Sequence, residues 1–272
     1  MTTLRVAILD MYEGRPNQGM RCLRELLDAF AKEQRITLIL EEFEVRLQMA
    51  VPDDSFDIYI SSGGPGSPLE SEGSNWEKAY FGWVTAMEAY NRDPAHTRKK
   101  FIFFICHSFQ LICRHYALAE VCPRKSTAFG VFPVHVLGGG KREPAFAHLA
   151  DPFYAVDSRD FQVIQPKPAV MEEMGAVLLC IEKERPHVPY ERAIMGIRFN
   201  PWWIGTQFHP EADATGMHQY LQMEDKKQAV IAEHGLAKWE SMVSQLTDPE
   251  KIMWTYHHLL HDFFLSATLS LT

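Results

Sequence analysis

No block of five consecutive basic residues, no CxxC pair and no long apolar run occurs in this sequence, and each absence removes a class of protein. Without a basic tract, and with 27 Lys and Arg against 35 Asp and Glu for a net charge of −8, the chain lacks the electrostatic footprint of a nucleic-acid or anionic-membrane binder. A small molecule or another protein is the expected partner. The five cysteines, Cys22, Cys106, Cys113, Cys122 and Cys180, are odd in number and scattered in a chain too large to need stapling, which points to reduced thiols. No stretch approaches the roughly 18 apolar residues of a membrane helix. Residues 1–10 read as a strand and not as a signal peptide. A soluble, cytoplasmic protein is expected. A GxGxxG fingerprint opening a helix after the first strand is also missing, which disfavours a dinucleotide-binding oxidoreductase.

What is present is a core-forming chain. Hydrophobic residues make up 46% of its 272 positions, enough for one large domain or a domain with an appendage. Short aliphatic runs at residues 4–9, 36–45, 56–60 and 101–105 alternate with helical periodicity at 18–32, 76–90 and 110–119. Strands alternating with helices imply parallel pairing through right-handed crossovers. The expected fold is therefore α/β, a doubly wound, mostly parallel, flavodoxin-like sheet with helices on both faces. Between 129 and 208 the pattern changes to shorter, partly antiparallel strands (129–137, 163–164, 177–181, 193–199 and 203–208) with Pro- and Gly-rich turns. From about residue 216 the composition becomes polar and helical, ending on an apolar stripe that includes Met253, Tyr256, Leu260 and Phe264. Two units are expected: residues 1–215 as the main domain, and 216–272 as a helical C-terminal extension packed on it.

Three segments carry chemistry. In FIFFICHSFQ (101–110) an apolar strand runs directly into Cys106 and then a helix. Such an elbow projects a thiol above the sheet edge, where a helix N-terminus stabilises the thiolate and offers backbone amides to an oxyanion. In WIGTQFHPE (203–211), His209 and Glu211 are two apart at a strand end, so their side chains share a side. A cysteine nucleophile needs such a base, and the base needs a carboxylate to hold its tautomer. In SSGGPGSP (61–68), a strand leads into glycines that let backbone amides approach a ligand closely. All three follow strands and could converge at the carboxyl edge of one parallel sheet, where ligands of such folds bind.

In this order, a GGPG-type loop, a cysteine elbow followed four residues later by Gln and an FHPE segment resemble the class I glutamine amidotransferases. GMP-synthase-type glutaminase domains are among the nearest in appearance. The resemblance covers residues 4–211, adds the TAFGVFPV stretch (127–134), and extends to a family-like final helix near 252–264. It implies that Cys106 attacks the γ-amide carbon of a glutamine-like substrate to form a thioester, with His209 shuttling protons and Glu211 orienting it. It further implies an oxyanion hole from the amides of Gly64 and His107, substrate contact by Gln110, no cofactor, and a separate synthase subunit or a stand-alone hydrolase. A γ-glutamyl peptidase and a catalytically silent binding or regulatory homologue are the alternatives.

The chain departs from the family at the elbow. Where the family has GxCxG, the glycine positions hold Phe104 and Ser108, so the turn must accommodate a phenyl ring beneath the nucleophile. His107 stands in place of an apolar residue and is either an exposed helix-start histidine or a group that perturbs the thiolate or touches substrate. His257, His258 and His261 have spacing compatible with a metal but no completing carboxylate or cysteine nearby; an amphipathic helix face is the expectation, and no metal site is assigned.

Overall fold

A computed structural model describes residues 3–184, 186, 191–246, 248 and 251–271. Met1 and Thr2 of the expected first strand, and residues 247, 249, 250 and 272 of the expected extension, lie outside that set. The alternating half of the chain consists of β1 (Thr3–Asp10), α1 (Gln18–Gln34), β2 (Thr37–Glu44), α2 (Val45–Gln48), β3 (Ile58–Ser61), α3 (Asn75–Arg92), β4 (Phe101–Ile105) and α4 (His107–His115). Then follow β5 (Glu120–Val136), β6 (Phe153–Ile164), α5 (Pro168–Met174), β7 (Val177–Glu182), β8 (Ile194–Asn200) and β9 (Trp203–Thr206). Four helices close the chain: α6 (Ala214–Gln222), α7 (Glu224–His234), α8 (Leu236–Gln245) and α9 (Ile252–Ser270).

The strands form one sheet in the order β2-β1-β3-β4-β9-β8-β7-β5-β6. The first five run parallel, and the pairs from β9 to β6 are antiparallel. Period-two alternation divides the parallel strands between two cores. Val6, Ile8, Ile58, Ile60 and Phe103 face one side, against Leu23, Leu27 and Phe30 of α1 and Leu259, Leu260, Phe263 and Phe264 of α9. Ala7, Leu9, Tyr59, Ile102 and Phe104 face the other, against Tyr80, Trp83 and Val84 of α3 and Phe109 and Ile112 of α4. This is the doubly wound arrangement that the alternating pattern calls for.

Two local expectations are corrected. The strands expected to be short between 129 and 164 are instead a long antiparallel hairpin, 17 residues in β5 and 12 in β6. Its register breaks between Pro123 and Ala128, across polar residues that interrupt the apolar alternation and hide the strand's length from periodicity. The helix expected from 110 begins at His107, immediately after the nucleophile candidate. Over the outer face of the hairpin, Met217 and Leu221 of α6, Val230 of α7 and Met242 of α8 form a third cluster with Val131 and Val156.

Candidate active site

Because β1, β3, β4 and β9 are mutually parallel neighbours, the residues following each emerge at one edge of the sheet. These are Met11 and Tyr12, the 61–66 loop, Cys106, and the 207–211 segment. Cys106 sits between β4 and α4 with φ +48° and ψ −98°, a conformation that costs on the order of 1–3 kcal/mol and persists only when its surroundings impose it. Its amide donates to Thr206 O at 2.8 Å, and its carbonyl accepts from Gln110 N at 3.0 Å. Both neighbours therefore hold the strained residue in place.

The two residues at the expected glycine positions fit without needing glycine. From Phe104 to Ser108, Cys106 is the one residue with positive φ. Phe104 points away from the thiol into the second core, edge-on to Phe199 at 5.7 Å and Trp203 at 6.0 Å. Its partner on β9 is Gly205, where a Cβ would lie 3.0 Å from Phe104 O and from the rings of Phe109 and Phe199, so the strand pair and the rings beside it pack closely there. The phenyl ring is thus part of the core instead of lying under the nucleophile. Ser108 is fully buried, and its hydroxyl donates to Ser62 O at 2.6 Å.

The structure brings Cys106, His209 and Glu211 together. The His209 Nδ1–H donates to Glu211 Oε1 at 2.8 Å, and the Cys106 sulfur is near enough to the ring to act on it as a charge and as a hydrogen-bond partner. Burial alone would depress the imidazole, but the negative charges of Glu211 and Cys106, with their hydrogen bonds, raise its pKa well above the ordinary histidine value. The His209 backbone is anchored by donation from its amide to Val156 O of β6 at 2.8 Å. Glu211 is buried beside the first turn of α1, where a Cβ on Gly19 would come within 3.3 Å of Oε1, so the positive end of that 17-residue helix faces the carboxylate. At Gly63 a Cβ would stand 2.7 Å from His209 Cε1. The glycine loop packs directly on the imidazole.

The two expected oxyanion amides, those of Gly64 and His107, have no hydrogen-bond acceptor among the described residues. For His107 this follows from its place at the start of α4, where helical amides lack partners. The His107 side chain is buried: it is 1% exposed, and burial together with Arg46 and Arg114 pushes its pKa down to about 3. It is a neutral core imidazole with an unpaired Nε2. Gln110 is also buried, and its amide donates to Phe161 O at 3.3 Å and Gln207 Oε1 at 3.1 Å.

Three groups at the site escaped the sequence reading. Gln207, held by Gln110, donates its amide toward Cys106 Sγ at 3.8 Å; its place in QFHPE was the available signal. Tyr12 lies against the Glu211 and Cys106 charges, and burial followed by those charges keeps its phenol protonated. Its hydroxyl stands 2.7 Å from a Cβ position on Gly19 and 3.3 Å from one on Gly63. Ser158 O of β6 lies 3.7 Å from the Cys106 sulfur, on a wall stiffened by the buried Arg159, which pairs with Asp157 at 2.8 Å and Glu182 at 3.3 Å. No sequence signal pointed to this strand crossing the thiol. Away from the site, His258 stacks on Trp254 and His261 bonds Glu33 and Asp262; no group of three ligands among the described residues could hold a metal.

The family model for glutamine amidotransferase class-I matches residues 24–227, three quarters of the chain. Solved structures share the fold at low identity. A glutamine amidotransferase from Thermotoga maritima aligns with TM-score 0.67 at 14% identity, covering 97% of both chains. A glutamine amido transferase from Methylobacillus flagellatus aligns at 0.58 and 13%, covering 98% of this chain and 96% of its own. The glutaminase domain of Trypanosoma brucei CTPS, with bound acivicin, aligns at 0.53 and 12%, covering 91% and 97%. No curated relative matches the chain in sequence. This chain belongs to the class I glutamine amidotransferase family. Among its described residues no helix is long and apolar enough to cross a membrane.

Proposed function

We propose that this chain hydrolyses the γ-carboxamide of glutamine or of a γ-glutamyl compound through a thioester on Cys106. The observation that carries the reading is the meeting of Cys106, His209 and Glu211 at the carboxyl edge of the parallel strands, with a raised imidazole pKa produced by the two flanking negative groups. The Cys106 thiolate attacks the γ-carbonyl carbon, and the C=O pair moves onto oxygen beside the amides of Gly64 and His107. Collapse breaks the C–N bond, and the His209 imidazolium gives its proton to the departing ammonia or amine. Water then attacks the thioester, passing a proton back to His209 and releasing the γ-carboxylate and the thiolate. Glu211 holds the ring in the tautomer that both transfers need. Gln110 acts through Gln207, whose amide steadies the sulfur.

Acivicin bound in the Trypanosoma brucei glutaminase domain supports glutamine-like electrophiles as probes here. Purified protein incubated with a diazoketone analogue of glutamine is expected to gain one adduct on Cys106. Cys106→Ala and His209→Ala are expected to lose turnover by several orders of magnitude, and Glu211→Ala less. Equal activity in wild type and Cys106→Ala removes the mechanism. Comparing ammonia release from glutamine with amine release from γ-glutamyl dipeptides separates amidotransferase from γ-glutamyl peptidase chemistry. The reading extends to a soluble protein in the cytoplasm that either works alone or feeds ammonia to a separate synthase subunit.

A further inference from the structure

Three carbonyls of the glycine loop, those of Ser62, Gly63 and Pro65, are tied down by side chains. The Ser62 carbonyl accepts from the Ser108 hydroxyl at 2.6 Å. The Gly63 carbonyl accepts from the Ser62 hydroxyl at 2.9 Å, and that hydroxyl is itself held by Met11 N at 3.0 Å. The Pro65 carbonyl accepts from Arg46 Nη1 at 2.5 Å, and the same nitrogen reaches Met11 O at 3.3 Å. All of these groups but Arg46 and Pro65 are buried.

The middle tie decides where an amide points. Gly63 O and Gly64 N–H belong to one peptide plane, which is trans, so the N–H is directed opposite to the carbonyl. With Gly63 O bonded to Ser62, the Gly64 N–H has one direction open to it. Turning that peptide over would break the Ser62 bond and drive the carbonyl toward the space of the N–H. The Ser108 tie has a direction too. Since Ser108 spends its proton on Ser62 O, it must accept from Ser61 Oγ at 2.7 Å, and Ser61 must in turn accept from the Tyr80 phenol at 2.9 Å. Burial raises the phenol's pKa, so it stays a donor. The result is a one-way chain of hydroxyls, Tyr80 to Ser61 to Ser108 to Ser62 O, that joins the cysteine elbow to the glycine loop and strengthens cooperatively.

We infer that Ser62 and Ser108 are positioning residues that latch the Gly64 amide toward the oxyanion site in the chain by itself, so that acyl transfer needs no partner-induced rearrangement of the loop. The inference rests on the proposed thioester reading and adds to it that the isolated chain is already competent. Ser108, which stands where a smaller glycine would suffice sterically, contributes the hydroxyl that makes the elbow and the loop one unit.

The test uses the purified full chain alone, with glutamine and γ-glutamyl-p-nitroanilide as substrates. Wild type is expected to turn over one of them steadily without any added protein. Ser62→Ala and Ser108→Ala are each expected to lower kcat roughly 10- to 100-fold with little change in KM, since a misplacement of about 1 Å can cost about 100-fold. Carbamidomethylation of Cys106 by iodoacetamide, a displacement that develops no oxyanion, is expected to keep its wild-type rate in both variants. Acylation and carbamidomethylation falling together would show general damage to the elbow and overturn the inference. So would kcat within twofold of wild type in both variants. Wild-type protein labelled on Cys106 by the diazoketone yet inert toward both substrates would overturn the inference while leaving the site's identity standing; absence of labelling would overturn both.

Discussion

Acid should weaken this fold through one residue whose proposed part in the reaction is played only by its backbone. His107 is 1% exposed, and its pKa is pushed down to about 3 by burial first and by Arg46 and Arg114 second. Above about pH 6.5 the imidazole is neutral in the folded and unfolded chain alike, and the full stability is present. Below that value the unfolded chain takes up a proton that the folded chain refuses until about pH 3, so stability falls by about 1.4 kcal/mol per pH unit across that window. Between pH 6.5 and 4.5 the loss is about 3 kcal/mol, a large fraction of the 5–15 kcal/mol typical of a domain. His107→Leu replaces the imidazole with an apolar group and also removes the unpaired Nε2. Urea unfolding of both proteins at pH 7 and pH 4.5 isolates the residue, because every other titrating group is common to the pair. The variant is expected to lose about 3 kcal/mol less than wild type over this interval, and to retain turnover at pH 7, since the amide at position 107 is unchanged. Equal losses in the two proteins would refute the assignment of His107 as a buried neutral imidazole.

Two further outcomes follow from the site. Gly63→Ala places a methyl group 2.7 Å from His209 Cε1; kcat is expected to fall at least about tenfold through displacement of the ring, with a thermal unfolding midpoint close to wild type, and unaltered kcat would show that the loop does not pack on the imidazole. Glu211→Gln keeps the shape and removes the charge that raises the His209 pKa. The basic limb of the kcat/KM profile, where the imidazolium loses its proton, is expected above the ordinary histidine value in wild type and to shift to lower pH in the variant; a limb that stays in place would assign that titration to another group.

The period-two and helical patterns of the first half determined the strands and helices that build the parallel sheet, since each element there has one strongly apolar face or is apolar throughout, as 101–105 is. Residue identity and spacing also determined the three segments that meet: a thiol after a buried strand, an imidazole and carboxylate two apart, and a glycine-rich loop. Elements whose identity depends on distant partners were not legible. The β5–β6 hairpin is stabilised by pairing on both sides of the register break at 124–127 and by α6, α7 and α8 lying over it, so its continuity depends on distant partners and not on local alternation. Phe104 read as an obstacle because local spacing places it at a tight turn, whereas Phe199 and Trp203, about a hundred residues away, receive its ring in the core. The His107 side chain read as an exposed helix-start group or one touching thiolate or substrate, and tertiary packing buries it. Tyr12, Gln207 and Ser158 were decided only by the folded chain, because closeness across a sheet edge depends on strand order. That order, β1 next to β3, β3 next to β4 and β4 next to β9, is set by burying two faces of one sheet at once, a condition on the whole chain that no local window contains.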